Sequence, residues 1–116
     1  MKTIKLWGLK KCDTTTKAVD FIKAAGFEVA FTDYSVNKPS VAQIEGWVKA
    51  LGGWEKMINR SGTTWRRLDA SETTNLDDQK AAKLAASHTS LIRRPLIEYE
   101  DGSVTAGFAP YVKALF

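Results

Sequence analysis

The chain has one cysteine, Cys12, in the segment Gly8-Leu9-Lys10-Lys11-Cys12-Asp13-Thr14. A free cysteine often serves as a small buried hydrophobe. Cys12 lies outside any apolar run, after a predicted strand and just before a predicted helix. Backbone N–H groups at a helix start are unpaired and carry partial positive charge. Lys10 and Lys11 add to that charge and Asp13 opposes it. Such a setting lowers a thiol pKa, and the thiolate is the nucleophile. A two-thiol enzyme would place a second cysteine three residues on, where Thr15 stands. An adduct on Cys12 therefore needs a thiol from outside to resolve it, most simply glutathione. His88, the one histidine, falls near the end of a polar helix, where a dipole-stabilised surface position is the expected role.

Two further segments carry chemistry-bearing side chains. Arg93-Arg94-Pro95 reads either as a solvated pair before a strand or as an anion-binding arginine beside a proline. The arginine fork suits carboxylate, phosphate or arsenate through two parallel hydrogen bonds. Asn59-Arg60-Ser61-Gly62-Thr63-Thr64-Trp65-Arg66-Arg67 reads equally as an anion site or as a capped surface helix.

These residues need elements to position them. Thr3 to Trp7 predicts a strand closed by Gly8. Ala18, Phe21, Ile22 and Ala25 recur at helical spacing, so a helix is expected from Thr14 to Gly26, capped by Asp13 or Thr14. Phe27 to Phe31 alternates as a second strand. Ser40 is an expected N-cap for a helix carrying Val41, Ile44, Val48 and Leu51 and ending at Gly52-Gly53. A shorter helix is expected over 54–58, a turn over 64–68, and an alanine-rich helix over 77–88. Leu96 to Tyr99 is a third strand, Asp101-Gly102 a two-residue hairpin turn, Ser103 to Ala106 a fourth strand, and 110–116 a closing helix. The order is β-α-β, a helical insert, then β-β-α.

Composition is consistent with a globular chain. It has 116 residues, 44% hydrophobic and 26% charged, with no apolar run of membrane-spanning length. Lys5 interrupts the apolar start, so no signal peptide is expected, and a soluble, cytoplasmic domain is. One cysteine excludes an internal disulfide; one cysteine and one histidine exclude an ordinary structural zinc site. The net charge is +4. Residues 10–17, 55–67 and 93–94 hold nine basic side chains against two acidic ones, an anion-attracting surface if they meet. No nucleic-acid-binding motif accompanies them.

The segments 8–14, 62–68 (Gly-Thr-Thr-Trp-Arg-Arg-Leu) and 92–96 (Ile-Arg-Arg-Pro-Leu) together resemble the YffB branch of the arsenate reductase (ArsC)/Spx family, in order and over nearly the whole chain. The resemblance implies an α/β thioredoxin/glutaredoxin-like fold: a mixed sheet of about four strands with an inserted helical segment. It implies one domain over 1–116, with 1–36 and 91–116 as core and about 40–90 as insert. Cys12 becomes the expected nucleophile and Pro95 a cis proline, with Arg94 near the thiolate. Arg94, Pro95, Arg60, Lys11 and Thr15 are the expected anion or glutathione contacts, with no metal and no bound cofactor. The implied activity is that of a glutathione-dependent, single-cysteine thiol reductase acting on a small oxyanion or a thiol/disulfide substrate. The alternative is an Spx-like interaction module whose partner would be RNA polymerase; Thr15 removes that branch's Cys-x-x-Cys switch. Gly8 stands about where arsenate reductases proper have a histidine, and Ser61 where relatives commonly have an arginine.

Overall fold

The computed structural model describes residues 2–116; Met1, where the expected domain begins, lies outside them. The elements are β1 (Thr3–Gly8), α1 (Asp13–Ala24), β2 (Glu28–Asp33), α2 (Val41–Leu51), α3 (Thr63–Arg67), α4 (Ala70–Thr73), α5 (Asp78–Ser87), β3 (Leu96–Glu98), β4 (Val104–Ala106) and α6 (Pro110–Lys113). Short 3-10 turns cover Trp54–Lys56 and Thr89–Leu91. The chain divides into two compact units. One runs up to Asn37 and resumes at Arg94; the other is Lys38–Arg93.

The first unit carries one sheet in the order β2-β1-β3-β4. β1 runs parallel to β2, with Ile4 opposite Val29 and Gly8 opposite Asp33. β3 runs antiparallel to both β1 and β4. This is the mixed sheet of the thioredoxin-like class. Ile4, Leu6 and Ile97 from the sheet, Ala18 and Ile22 from α1, and Val112 from α6 make its buried core. Alternation puts Ile4 and Leu6 on one face of β1. The inner face of α1 is Thr15, Ala18 and Ile22, which differs from the predicted stripe. Phe21 lies off that face, 40% exposed, with its ring edge-on to Phe108 and Phe116 at 5.6 and 6.4 Å. Aromatic edge contacts of this kind hold a ring at a surface without burying it.

In the second unit, α2 occupies the predicted span. Ser40 and Gln43 close a reciprocal capping box, and Gly52 ends the helix at φ +89. Its buried Ile44, Trp47 and Val48 pack toward α5, whose inner face is Ala81, Ala82 and Ala85. Small side chains there allow close approach of the two helices. Ile58 and Ile92 form an isolated antiparallel bridge.

Three local expectations are corrected. The N-cap of α1 is Cys12, not Asp13 or Thr14. A helical turn at Ala70–Thr73, not expected from periodicity, follows α3. The β3–β4 connection is one residue longer than the two-residue turn expected at Asp101-Gly102. Tyr99 N–H donates to Ser103 O, leaving residues 100–102 as the loop. Gly102 there takes φ +87, and the Asp101 carboxylate accepts from both the N–H and the hydroxyl of Ser103. Three-residue hairpins with a left-handed glycine are the next common solution after two-residue turns.

Candidate active site

Cys12 lies where β1 hands the chain to α1. Its N–H donates to Leu9 O at 3.1 Å, and its carbonyl accepts from the N–H and the hydroxyl of Thr16 at 2.9 and 3.1 Å. The residue is extended, φ −96 and ψ 123, as an N-cap must be. No conventional side-chain cap bond closes the helix start. The sulfur stands at that helix start, where the Thr15 and Thr14 N–H groups favour its thiolate. Partial burial pushes the thiol pKa up. The Thr15 N–H and hydroxyl, the Thr14 N–H and the Arg94 charge outweigh it and hold the pKa below the ordinary thiol value.

Thr15 is the one buried polar residue among those described. Its Oγ1 has no hydrogen-bond partner, and the Cys12 sulfur is the group whose thiolate it favours. Buried polar atoms are almost always paired, so this hydroxyl is matched to a thiolate, a stronger acceptor than a thiol. Gly8 makes the room. A Cβ at Gly8 would stand 2.6 Å from Thr15 Oγ1 and 2.8 Å from Cγ2.

Arg94 is half-buried and Pro95 buried, and the peptide bond between them is cis. The Arg94 guanidinium donates to the Tyr34 hydroxyl at 3.5 Å and acts on the Cys12 sulfur as a charge. Desolvation alone would weaken its protonation; Tyr34 and Cys12 reverse this and keep the arginine firmly charged. Pro95 O accepts from Gly107 N–H at 3.0 Å, joining the start of β3 to the end of β4.

The structure therefore brings Cys12, Thr15 and Arg94 together, with Pro95 next in the chain. Lys11 is exposed. Arg60 belongs to the second unit, where its guanidinium lies over the Trp54 ring, 5.5 Å from the centroid. Of the other arginines in that segment, Arg66 donates to Ser61 O at 2.9 Å. Arg67 lines a cleft of about 380 Å³ with Thr63, Thr64, Leu68, His88 and Ser90. Arg93 is exposed; its N–H donates to Met57 O at 2.9 Å. Among the described residues, no group of three or more His, Cys, Asp or Glu could hold a metal ion, and no helix is long and apolar enough to cross a membrane.

Two residues at this site escaped the sequence reading. Tyr34 is completely buried with its hydroxyl at Arg94. Asp33 accepts from Lys10 N–H at 3.0 Å and from the N–H and hydroxyl of Ser35 at 2.9 and 2.6 Å. The signal available in the sequence was Asp-Tyr shortly after the alternating run Phe27 to Phe31.

A thioredoxin-like sheet with one cysteine at the start of its first helix and an arginine before a cis proline defines the class. The chain belongs to the ArsC family, whose model matches residues 7–112. It is similar to the solved structure of YffB, at 34% identity and TM-score 0.87 over 97% of this chain and 96% of that one. A solved arsenate reductase (ArsC) related protein from Brucella melitensis is 30% identical, with TM-score 0.76 over 100% and 94%. An arsenate reductase of Rhizobium meliloti is 26% identical over 82% of this chain and 68% of its own length.

Proposed function

We propose that this protein is a glutathione-dependent thiol reductase that works through Cys12 alone and acts on disulfides in which one half is glutathione. The observation that carries the reading is the setting of the sulfur. Two N–H groups, one buried hydroxyl and one arginine favour the thiolate, in a chain with no second cysteine. Similarity to arsenate reductases supports the thiol chemistry. The choice of substrate rests on Arg94, whose fork suits a carboxylate of glutathione.

The chemistry balances with glutathione as reductant. The Cys12 thiolate attacks the glutathione sulfur of a mixed disulfide. A Cys12–glutathione bond forms, the substrate S–S bond breaks, and the substrate thiolate leaves with the electron pair and takes a proton from water. A glutathione thiolate then attacks the glutathione sulfur on Cys12. Oxidised glutathione leaves, and Cys12 departs as the thiolate its surroundings favour. A low thiol pKa helps both as attacking group at neutral pH and as leaving group. The reducing cytoplasm, where glutathione is plentiful, is the proposed location.

Turnover distinguishes this from a binding module. With a glutathionylated peptide and reduced glutathione, the wild type is expected to release free peptide catalytically. Cys12→Ser is expected to fall to the uncatalysed rate. No release above that rate from folded wild type would overturn the proposal.

A further inference from the structure

We infer that Asp33 and Tyr34, consecutive residues at the end of β2, are positioning residues that set the two halves of the site. Asp33 pins the loop before Cys12, and Tyr34 aims the Arg94 guanidinium. The inference rests on Cys12 and Arg94 acting as proposed above.

The parallel register sets Asp33 opposite Gly8, the last residue of β1. Tyr34 N–H donates to Gly8 O at 3.1 Å, continuing the ladder one step past the strand. Beyond that point the cysteine loop leaves the sheet. Its next anchor is side-chain made: Lys10 N–H donates to Asp33 Oδ2 at 3.0 Å. The other oxygen, Oδ1, is held by the N–H and hydroxyl of Ser35. The carboxylate is thus fixed on one side and holds the loop with the other. These bonds also keep it ionised well below the usual carboxylate pH range, so the anchor is present at neutral pH. One residue on, the Tyr34 ring is wholly buried and its hydroxyl meets Arg94 Nη1 at 3.5 Å. Burial raises the phenol pKa, so it stays a neutral oxygen that accepts from a cation. An arginine side chain has several rotatable bonds, and a fixed acceptor removes much of that freedom. The charged or titratable groups on the elements about the thiol are Arg94 before β3, Asp33 at the end of β2 and Tyr34 after it, Lys10 and Lys11 in the loop, and Asp13 on α1.

The test is the rate of Cys12 alkylation by iodoacetamide against pH, on the full chain. Wild type is compared with Tyr34→Phe, Arg94→Ala and the double variant. Tyr34→Phe keeps the buried ring and is expected to raise the midpoint by about half a unit, roughly a threefold loss of thiolate below it. In the Arg94→Ala background the same change is expected to add nothing, because there is no guanidinium left to aim. An unchanged midpoint in Tyr34→Phe, or an equal shift in both backgrounds, would overturn the tyrosine's role. If Arg94→Ala itself leaves the midpoint in place, the inference fails along with the arginine's role. Catalytic peptide release by wild type, which is lost in Cys12→Ser, would still stand.

Asp33→Asn tests the other half. The amide can keep the Ser35 contacts through its oxygen, but it then turns an NH₂ toward the Lys10 N–H, donor against donor. Amide hydrogen exchange at Lys10 is expected to speed up roughly tenfold with the loss of a charge-assisted bond, while Ile4 and Leu6 in β1 keep their protection. Unchanged exchange at Lys10 would overturn the anchor.

Discussion

Arg94→Ala is expected to raise the titration midpoint of Cys12 and to weaken glutathione binding by roughly tenfold to a hundredfold. That range corresponds to about 1.5–3 kcal/mol for a hydrogen bond to a charged group. The sign follows from the folded protein. The wild-type thiol titrates below the ordinary value, so between that lowered midpoint and about 8.5 it is thiolate where a free thiol is protonated. Removing the cation narrows this window from below. Alkylation of the variant should therefore be slow at neutral pH and rejoin wild type above the ordinary thiol range. Arg94→Lys keeps the charge but not the fork, so it should retain most of the thiol shift and lose anion affinity. Arg93→Ala should change neither, since Arg93 is exposed and its N–H is bound to Met57 O. Adjacent residues in an extended chain point opposite ways. A titration of Cys12 and a glutathione binding isotherm on the three variants check the whole set. Equal damage from Arg93→Ala would contradict it.

The second large effect is expected at Gly8. Gly8→Ala would put a methyl group 2.6 Å from Thr15 Oγ1 and 2.8 Å from its Cγ2. The backbone there cannot easily retreat, because Gly8 pairs with β2 in the sheet and its carbonyl accepts from Tyr34 N–H. Overpacking of this kind costs about 1–3 kcal/mol, and it pushes Thr15 off the sulfur. Thermal unfolding should move down by several degrees, and the Cys12 midpoint should rise. Thr15→Ala in the same chain separates the two effects. Of the three Thr15 atoms that crowd the new methyl, the Cβ at 3.3 Å would then remain. Stability should largely return, while the midpoint stays high for want of the hydroxyl. If Gly8→Ala costs the same stability with Thr15 or Ala at position 15, the two residues are not coupled as described.

Much of this architecture was legible because its signals are local. Ser40 and Gly52 mark both ends of α2 within a dozen residues, and helix ends follow such short-range bonds. The placing of Cys12 between a strand and a helix was read the same way. Its role as the cap itself was not, since Asp13 and Thr14 are the usual capping types and a sulfur is not. On α1 the predicted Ala18 and Ile22 do face inward, but Thr15 and not Phe21 completes that face. Thr15 is polar yet faces inward, and Phe21 is apolar yet held at the surface by Phe108 and Phe116. Asp33 and Tyr34 were out of reach for another reason. Their partners are Lys10 and Arg94, 23 and 60 residues away, and only strand register brings them together. Arg60 rests over the Trp54 ring, a contact that rotation along the chain does not signal.

The central claim is that Cys12 exchanges with glutathione and that no other group in the chain resolves the product. Intact-protein mass after exposure to oxidised glutathione tests it most directly. The account predicts one added glutathione on wild type, stable until reduced glutathione is supplied and then removed completely, and none on Cys12→Ser. A folded wild type whose mass does not change, or an adduct that forms equally on Cys12→Ser, would contradict it.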